Sequence, residues 1–291
     1  MSEDEWRCRF AGKRKSNGNC EAVEPDGFPA QGVGEWTPEK HSWLGRYIEA
    51  TSGARHRYLP SGGGKGGAAF VDLFAGPGRI RVRDDADVYD GSPLLALKHA
   101  KAPFSRVILC DLDSENVAAL QSRTTAHSSR TIIVHGDCNE RIDDIVREVP
   151  PYGLNLSFVD PFGPKALKWT TLAKLAAFDR MDLLVNLPIG FIKRNFHTAA
   201  FREQLTAFLG DDTWRQHVAS AGDATKLIDF LRSRFAVLGY LPAATRAVAI
   251  KNSQNVVMFN LVLFSKHHLA EKIWKSIART TPSGQKDLFD E

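Results

Sequence analysis

Four short apolar runs, each tied to an aspartate, set the pattern of the chain. The first, residues 68–74, contains Asp72 and breaks directly into the turn Gly76-Pro77-Gly78. The next three lead into Asp111, Asp137 and Asp160. Runs this short, bounded by turn residues, read as buried strands. Between them the apolar positions change to a helical period: Val117 and Leu120, then Ile142, Ile145 and Val146, then Leu167, Leu172 and Leu175. A fifth run covers residues 181–186. Strands alternating with helices predict a parallel sheet with helices on both faces. The four aspartates then share one sheet edge.

The flanks complete the pattern. Thr37-Pro38-Glu39-Lys40 predicts a helix start, with Thr37 as N-cap and Pro38 at the first helical position. Leu44, Tyr47 and Ile48 form its apolar face. Gly91-Ser92-Pro93 predicts another start, with Ser92 as N-cap, after a charged insertion at residues 79–90. Helical periods cross an insertion at about residues 189–240, through Phe201, Leu205 and Phe208, Trp214 and Val218, then Leu227, Leu231 and Phe235. Two strand-like runs follow, residues 245–250 and 256–264, and the polar link between them predicts a hairpin. A last helix carries Leu269, Ile273, Trp274 and Ile277. Seven strands ending in an antiparallel hairpin predict a Rossmann-like α/β sheet of the class I methyltransferase type. The expected organisation is a polar basic arm (residues 1–34), that domain (35–281) and a polar tail (282–291).

Composition narrows the setting. A hydrophobic fraction of 43% in 291 residues supports one sizeable core, and the net charge of +4 permits a nucleic-acid partner without requiring one. No apolar stretch approaches the roughly 20 residues of a membrane span, and the N-terminus lacks the apolar centre of a signal peptide. Cys8, Cys20, Cys110 and Cys138 are widely spaced, so neither a zinc site nor a disulfide framework is expected and a cytoplasmic setting fits. The arm concentrates Arg7, Arg9, Lys13, Arg14 and Lys15. A solvated tail is the preferred reading of it, a phosphate-contacting arm the sharper one. The glycine run at residues 62–67 is not a phosphate loop, because no Ser or Thr follows Lys65 and the run precedes its strand.

The strand-end residues carry the chemistry. Gly76 and Gly78 allow a sharp turn and close approach of a ligand at the end of the first strand. Asp72-Leu73-Phe74-Ala75-Gly76-Pro77-Gly78 resembles the DxFxGxG loop of class I S-adenosylmethionine (SAM)-dependent methyltransferases. The resemblance implies that Asp72, Phe74, Gly76 and Gly78 cradle the methionine part of SAM. Asp111 ends the second strand, where a carboxylate can accept hydrogen bonds from both ribose hydroxyls, with Asp113 as the competing candidate. Asp137, after the third strand, is placed to bind the adenine amino group. Singly, each aspartate reads as a helix N-cap; together they read as a cofactor site.

Asp160-Pro161-Phe162-Gly163 resembles the [DN]PP[YF] motif of methyltransferases that modify exocyclic amino groups of bases. Such a nitrogen has its lone pair delocalised into the ring. Asp160 and the Pro161 carbonyl can accept hydrogen bonds from it, favouring a tetrahedral nitrogen aimed at the methyl donor. Phe162 would stack on the base, and a base in a duplex would have to be flipped out. The second proline is absent, and the form is closer to tRNA guanine-N2 dimethyltransferases, which favours RNA over DNA. Asn186 in Asn186-Leu187-Pro188 could orient Asp160 or a base; satisfying loop backbone is the preferred reading. Lys193 and Arg194 either meet phosphate or form a solvated loop.

Over about residues 20–280 the chain resembles the three-Cys-motif partner (TcmP) proteins. The carrying residues are Asp26-Gly27-Phe28-Pro29, Val33-Gly34-Glu35-Trp36-Thr37-Pro38-Glu39-Lys40, Asp72 to Gly78, Gly91-Ser92-Pro93, Asp160 to Gly163 and Leu263-Phe264-Ser265-Lys266-His267. The resemblance implies a methyltransferase-like protein that works beside a radical-SAM-like protein bearing the three cysteines. The first expectation is an amino-directed methyltransferase acting on RNA. The second is an inert SAM-fold scaffold for the three-Cys protein, and the third a small-molecule or protein methyltransferase.

Overall fold

The computed structural model describes residues 13–14, 20–82, 87–98, 101–218, 220–223, 225–242 and 247–279. Arg7, Arg9, Lys15 and Cys8 lie outside the described residues. Strand β1 is Lys13–Arg14, β2 Cys20–Val23 and β3 Pro29–Val33. Helix α1 (Thr37–Ala50) and the short α2 (Ser52–His56) follow, then β4 (Ala69–Asp72), β5 (Arg79–Val82), β6 (Val88–Asp90) and α3 (Ser92–Lys98). The alternating part is β7 (Arg106–Asp111), α4 (Ser114–Arg123), β8 (Thr131–His135), α5 (Cys138–Glu148), β9 (Asn155–Val159), α6 (Trp169–Ala176) and β10 (Met181–Leu187). The insertion holds α7 (Ile189–Asn195), α8 (Ala199–Leu209) and α9 (Lys226–Val237). The chain closes with β11 (Val248–Lys251), β12 (Val257–Phe264) and α10 (His268–Ala278).

The main sheet has seven strands in the order β11-β12-β10-β9-β4-β7-β8. β8, β7, β4, β9 and β10 run parallel, and β12 is antiparallel between β10 and β11. The strands at its centre are buried on both faces: Phe70, Val71, Phe158 and Val159 are fully enclosed. They read as continuous apolar runs for that reason. Two core clusters cover the two faces. Strand order reverses between β4 and β9, so the crevice outside their carboxyl ends is the switch point where open α/β sheets bind ligands. Asp72 ends β4, and Asp160 directly follows β9.

Residues 20–33, counted with the basic arm in the sequence reading, form β2 and β3. With β1, β5 and β6 they make a second sheet of five strands, so the charged insertion supplies two of its members. Ion pairs fasten this sheet down. Arg81 is bidentate to Glu24 (2.8 and 2.9 Å), and Arg123 of α4 is bidentate to Asp26 (both bonds 2.9 Å). Arg123 also donates to the Pro29 and Pro77 carbonyls at 2.7 Å, tying β3 to the glycine turn. The guanidinium of Arg123 beside Asp26 holds that carboxyl below the usual range. The helix starts differ slightly from expectation. α1 begins at Thr37 with Trp36 in the capping position and no side-chain cap, and Thr37 is buried as the first helical residue. Ser92 is the first residue of α3.

Candidate active site at the switch point

Two cavities open at the carboxyl edge and share a wall. The larger, about 390 Å³, is lined by Phe74, Gly76, Asp111, Asp113, Asp137 and Asn116, among others. The smaller, about 160 Å³, is lined by Trp36, Lys40, Asp160, Pro161 and Phe259, among others. Gln31, Phe74 and Phe162 line both. The five-stranded sheet therefore reaches the site through Gln31.

The glycine turn is shaped by its surroundings. Gly76 has φ +60°, and a Cβ there would stand 2.8 Å from Gln31 Oε1. Its N–H donates to Asp111 Oδ2 at 2.7 Å. Asp72 and Gly78 stand behind the cavity instead of lining it. Asp72 is fully buried and accepts from the Phe74 N–H at 3.1 Å; the Gly78 carbonyl accepts from Gly91 N–H at 2.8 Å. Burial pushes the Asp72 carboxyl up to about 7, against the pull of the Ser92 hydroxyl and the Phe74 N–H. Its Oδ2 has no hydrogen-bond partner.

Asp111 already serves the protein. Besides Gly76, it accepts from the Asp113 N–H (2.9 Å) and from Asn116 Nδ2 (3.0 Å). A carboxylate offers about four acceptor positions, so one is left on Oδ2, enough for one hydroxyl and not two. Burial raises its pKa while these three donors oppose the rise. Asp113 and Asp137 are N-caps, of α4 and α5, accepting from the N–H groups of Glu115 (2.9 Å) and Asn139 (2.8 Å). They line the larger cavity as well, so the structural and ligand-facing readings coexist at one position. Asn116 Oδ1 is a buried acceptor without a partner. A lining so rich in acceptors fits a ligand that brings hydroxyl, amine or ammonium donors.

The smaller cavity is built around Asp160. Lys40 of α1 pairs with Oδ2, and Asn186 of β10 donates to Oδ1 at 2.7 Å. Asn186 thus orients the carboxylate and does not serve loop backbone. The Lys40 side chain is 7% exposed and that of Asp160 is 19% exposed, so the pair is largely removed from water. Lys40 Nζ also stands 5.7 Å from the Phe259 ring centre, and Trp36 lies 6.2 Å from the same ring. Next to Lys40, His41 is held neutral: burial, and then the Lys40 charge, lower its pKa to about 3. Phe162 stays 58% exposed at the mouth. The arrangement offers an acceptor carboxylate, fixed from two sides, inside an aromatic slot.

As site residues, sequence reasoning singled out Asp160, Pro161 and Phe162 but not Phe259, Gln31 or Asn116, and it read Lys40 and Trp36 only as part of a helix start and a family-like motif. One signal for Lys40 was present: it shares a helical face with Leu44 and Tyr47, and a cation on an apolar stripe calls for a partner. Among the described residues, no group of His, Cys, Asp and Glu could hold a metal ion. Cys110 and Cys138 are buried free thiols whose pKa values burial raises. No described helix is long and apolar enough to cross a membrane.

The strand order, the antiparallel seventh strand and the cavity outside β4 decide the architecture. The fold is that of the class I methyltransferases. No family model matches the chain, and no curated protein matches it in sequence. Among solved structures it is similar to protein LPL1258 from Legionella pneumophila str. Philadelphia 1 (12% identity, 84% of this chain and 95% of that one, TM-score 0.47). It is also similar to Trm1 from Pyrococcus horikoshii, solved with S-adenosyl-L-methionine (11%, 81% and 57%, 0.43). A third is the methyltransferase domain of bacterial CtHen1-C (13%, 75% and 98%, 0.36).

Proposed function

We propose that this protein is a SAM-dependent methyltransferase directed at an exocyclic amine of a nucleic-acid base, RNA in preference to DNA, acting with a three-Cys-motif radical-SAM-like protein. One observation carries the reading: the acceptor-rich cavity and the Asp160 slot share Phe74 and Phe162 as a common wall. When bound, SAM supplies an electrophilic methyl group on a sulfonium. In the larger cavity Phe74 and Gly76 would face the cofactor, Asp111 and Asp137 would accept its donors, and Asp72 and Gly78 would hold the turn from behind. In the smaller one, Asp160 and the Pro161 carbonyl would accept from the target NH₂ and draw its lone pair out of conjugation. Phe162, with Trp36 and Phe259 beyond it, would hold the ring. Paired with Lys40, the carboxylate gives the slot no net charge, which favours a neutral aromatic amine over a cationic lysine.

Isothermal calorimetry tests the cofactor half. The protein should bind SAM or S-adenosylhomocysteine, and Asp111→Ala should weaken binding by roughly 1.5–3 kcal/mol, the value of a charged hydrogen-bond partner. A folded protein that binds neither would overturn the enzyme reading. For the substrate half, Phe162→Ala should reduce affinity for a methyl-accepting RNA by roughly 1–3 kcal/mol, one stacked base, without touching cofactor affinity. Equal RNA affinity in both proteins would remove Phe162 from the base site. The three donors already held by Asp111 favour a second reading, a scaffold that binds the three-Cys-motif protein without turnover. It requires that Asp111→Ala and Phe162→Ala leave partner binding and cellular phenotype intact.

A further inference from the structure

Two stretches of chain next to the slot holding Asp160 are rich in cations and free of acids. Between Pro161 and Phe178, and again between Pro188 and Arg202, the chain contains no Asp or Glu. It does contain Lys165, Lys168, Lys193, Arg194 and Arg202. The first four are exposed and Arg202 is half-buried. Among the described residues, none of the five has a carboxylate at ion-pair distance. Other cations of the region do: Lys174 pairs with Asp143 at 2.5 Å, and Arg215 takes Glu203, the first acid after the run, at 2.6 Å.

Packing brings together the segments that carry Lys165, Lys193, Arg194 and Arg202, and Lys168 lies three residues after Lys165. The loop after β9, α7 and α8 converge on Phe191. A Cβ on Gly163 would stand 3.0 Å from the Phe191 ring, so loop and helix touch at the residue after Phe162. Phe191 in turn meets Phe201 of α8, with ring centres 5.9 Å apart. α8 also packs on the turn Pro164–Ala166 that carries Lys165. α7 begins three residues beyond Asn186, which holds Asp160. Cations without ion-pair partners, four of them exposed, on segments beside a slot for one planar ring fit a polyanion whose charges are spaced around that ring. Phosphodiesters flanking an extruded nucleotide have that form.

We propose that Lys165, Lys168, Lys193, Arg194 and Arg202 bind the sugar–phosphate backbone on either side of the nucleotide whose base enters the Asp160 slot. This rests on the nucleic-acid reading above. It adds a phosphate surface in the folded domain to the reading of the N-terminal arm.

The test uses the full chain and a fluorescein-labelled single-stranded RNA of twelve nucleotides, with anisotropy read at several salt concentrations. Two variants remove two charges each: Lys193→Gln with Arg194→Gln, and Lys165→Gln with Lys168→Gln. Exposed substitutions of this kind leave the fold nearly unaffected, and unchanged melting and cofactor binding would document it. Each phosphate contact contributes about −0.7 to the slope of log K against log salt for single strands. Each double variant should therefore flatten the slope by about 1.4. Slopes equal to that of the unmodified protein in both variants would overturn the surface while leaving the methyl-transfer reading standing, since that is scored by methylation of the same RNA. An unmodified protein that binds no RNA, even at low salt, would overturn the surface too; its SAM binding would still be judged separately. Variants that keep RNA affinity but no longer retain the three-Cys-motif protein would reassign the cations to an acidic protein surface and reject the proposal.

Discussion

Asp160→Asn should lower kcat for methyl transfer by about two to four orders of magnitude, the range typical of a positioned proton acceptor, while the cofactor affinity persists. The loss should fall on kcat more than on KM, because the carboxylate acts where the nitrogen leaves conjugation, in the transition state. Asparagine keeps one oxygen for Asn186 and nearly the same volume, so the slot is preserved. What changes is charge, and Lys40 then stands in a largely buried position without its counter-ion. Removing one partner of such a pair is destabilising by about 3–5 kcal/mol. The single variant thus confounds chemistry with folding. Lys40→Met combined with Asp160→Asn resolves this. The double variant should regain most of the lost stability in urea titrations and remain inactive. Should it regain turnover as well, Asp160 would be no more than the counter-ion of a structural lysine. Lys40→Met alone should destabilise less than Asp160→Asn alone, since Asp160 is the more exposed member and keeps the Asn186 bond.

The strand ends were legible because burial on both faces writes strands as unbroken apolar runs, and the aspartates follow at once. Asp111, Asp137 and Asp160 could be placed on one edge for that reason. The helical insertion and terminal hairpin were legible from the change of period. The second sheet was not. Its strands have two to five residues, and β3 pairs with β5 across nearly fifty positions of sequence. Short strands joined by long-range pairing leave no local periodicity. The helical face of Lys40 called for a partner but could not name it, because Asp160 lies 120 residues away. Asn186 was visible as a polar residue ending a strand, but only the parallel pairing of β10 with β9 brings it to Asp160. The sequence pattern also could not show that Asp111 spends most of its acceptor capacity on the glycine turn and α4.

Asp72→Asn should make the protein more stable at pH 8 and less able to hold its cofactor. The carboxyl of Asp72 is raised from 3.8 to about 7 because it is fully enclosed, so the folded state binds its proton far more tightly than the unfolded chain does. Where the folded state holds more protons, stability falls as pH rises. For this group the fall runs between pH of about 4 and about 7 and is complete above that. The full shift corresponds to roughly 4 kcal/mol at about 1.4 kcal/mol per unit. Asparagine cannot ionise, and its oxygen can still accept from the Phe74 N–H. Its amide N–H groups need acceptors, however, and leaving one buried without a partner costs about 1–3 kcal/mol. A net gain of about 2 kcal/mol at pH 8 is expected, with almost none at pH 5, where only about a third of the pH-dependent loss has occurred and the amide cost offsets it. Urea titrations of both proteins at the two pH values read this directly. Parallel pH profiles would show that Asp72 does not titrate in this window. The cofactor side has the opposite sign. A cationic ligand group in the cavity, acting across the glycine turn on the carboxyl enclosed behind it, favours the ionised form, so SAM affinity of the unmodified protein should rise with pH up to about 7 and then level off. Asp72→Asn should abolish that rise. A flat profile in the unmodified protein would place the cationic end of the ligand away from Asp72 and assign that residue to shaping the glycine turn alone.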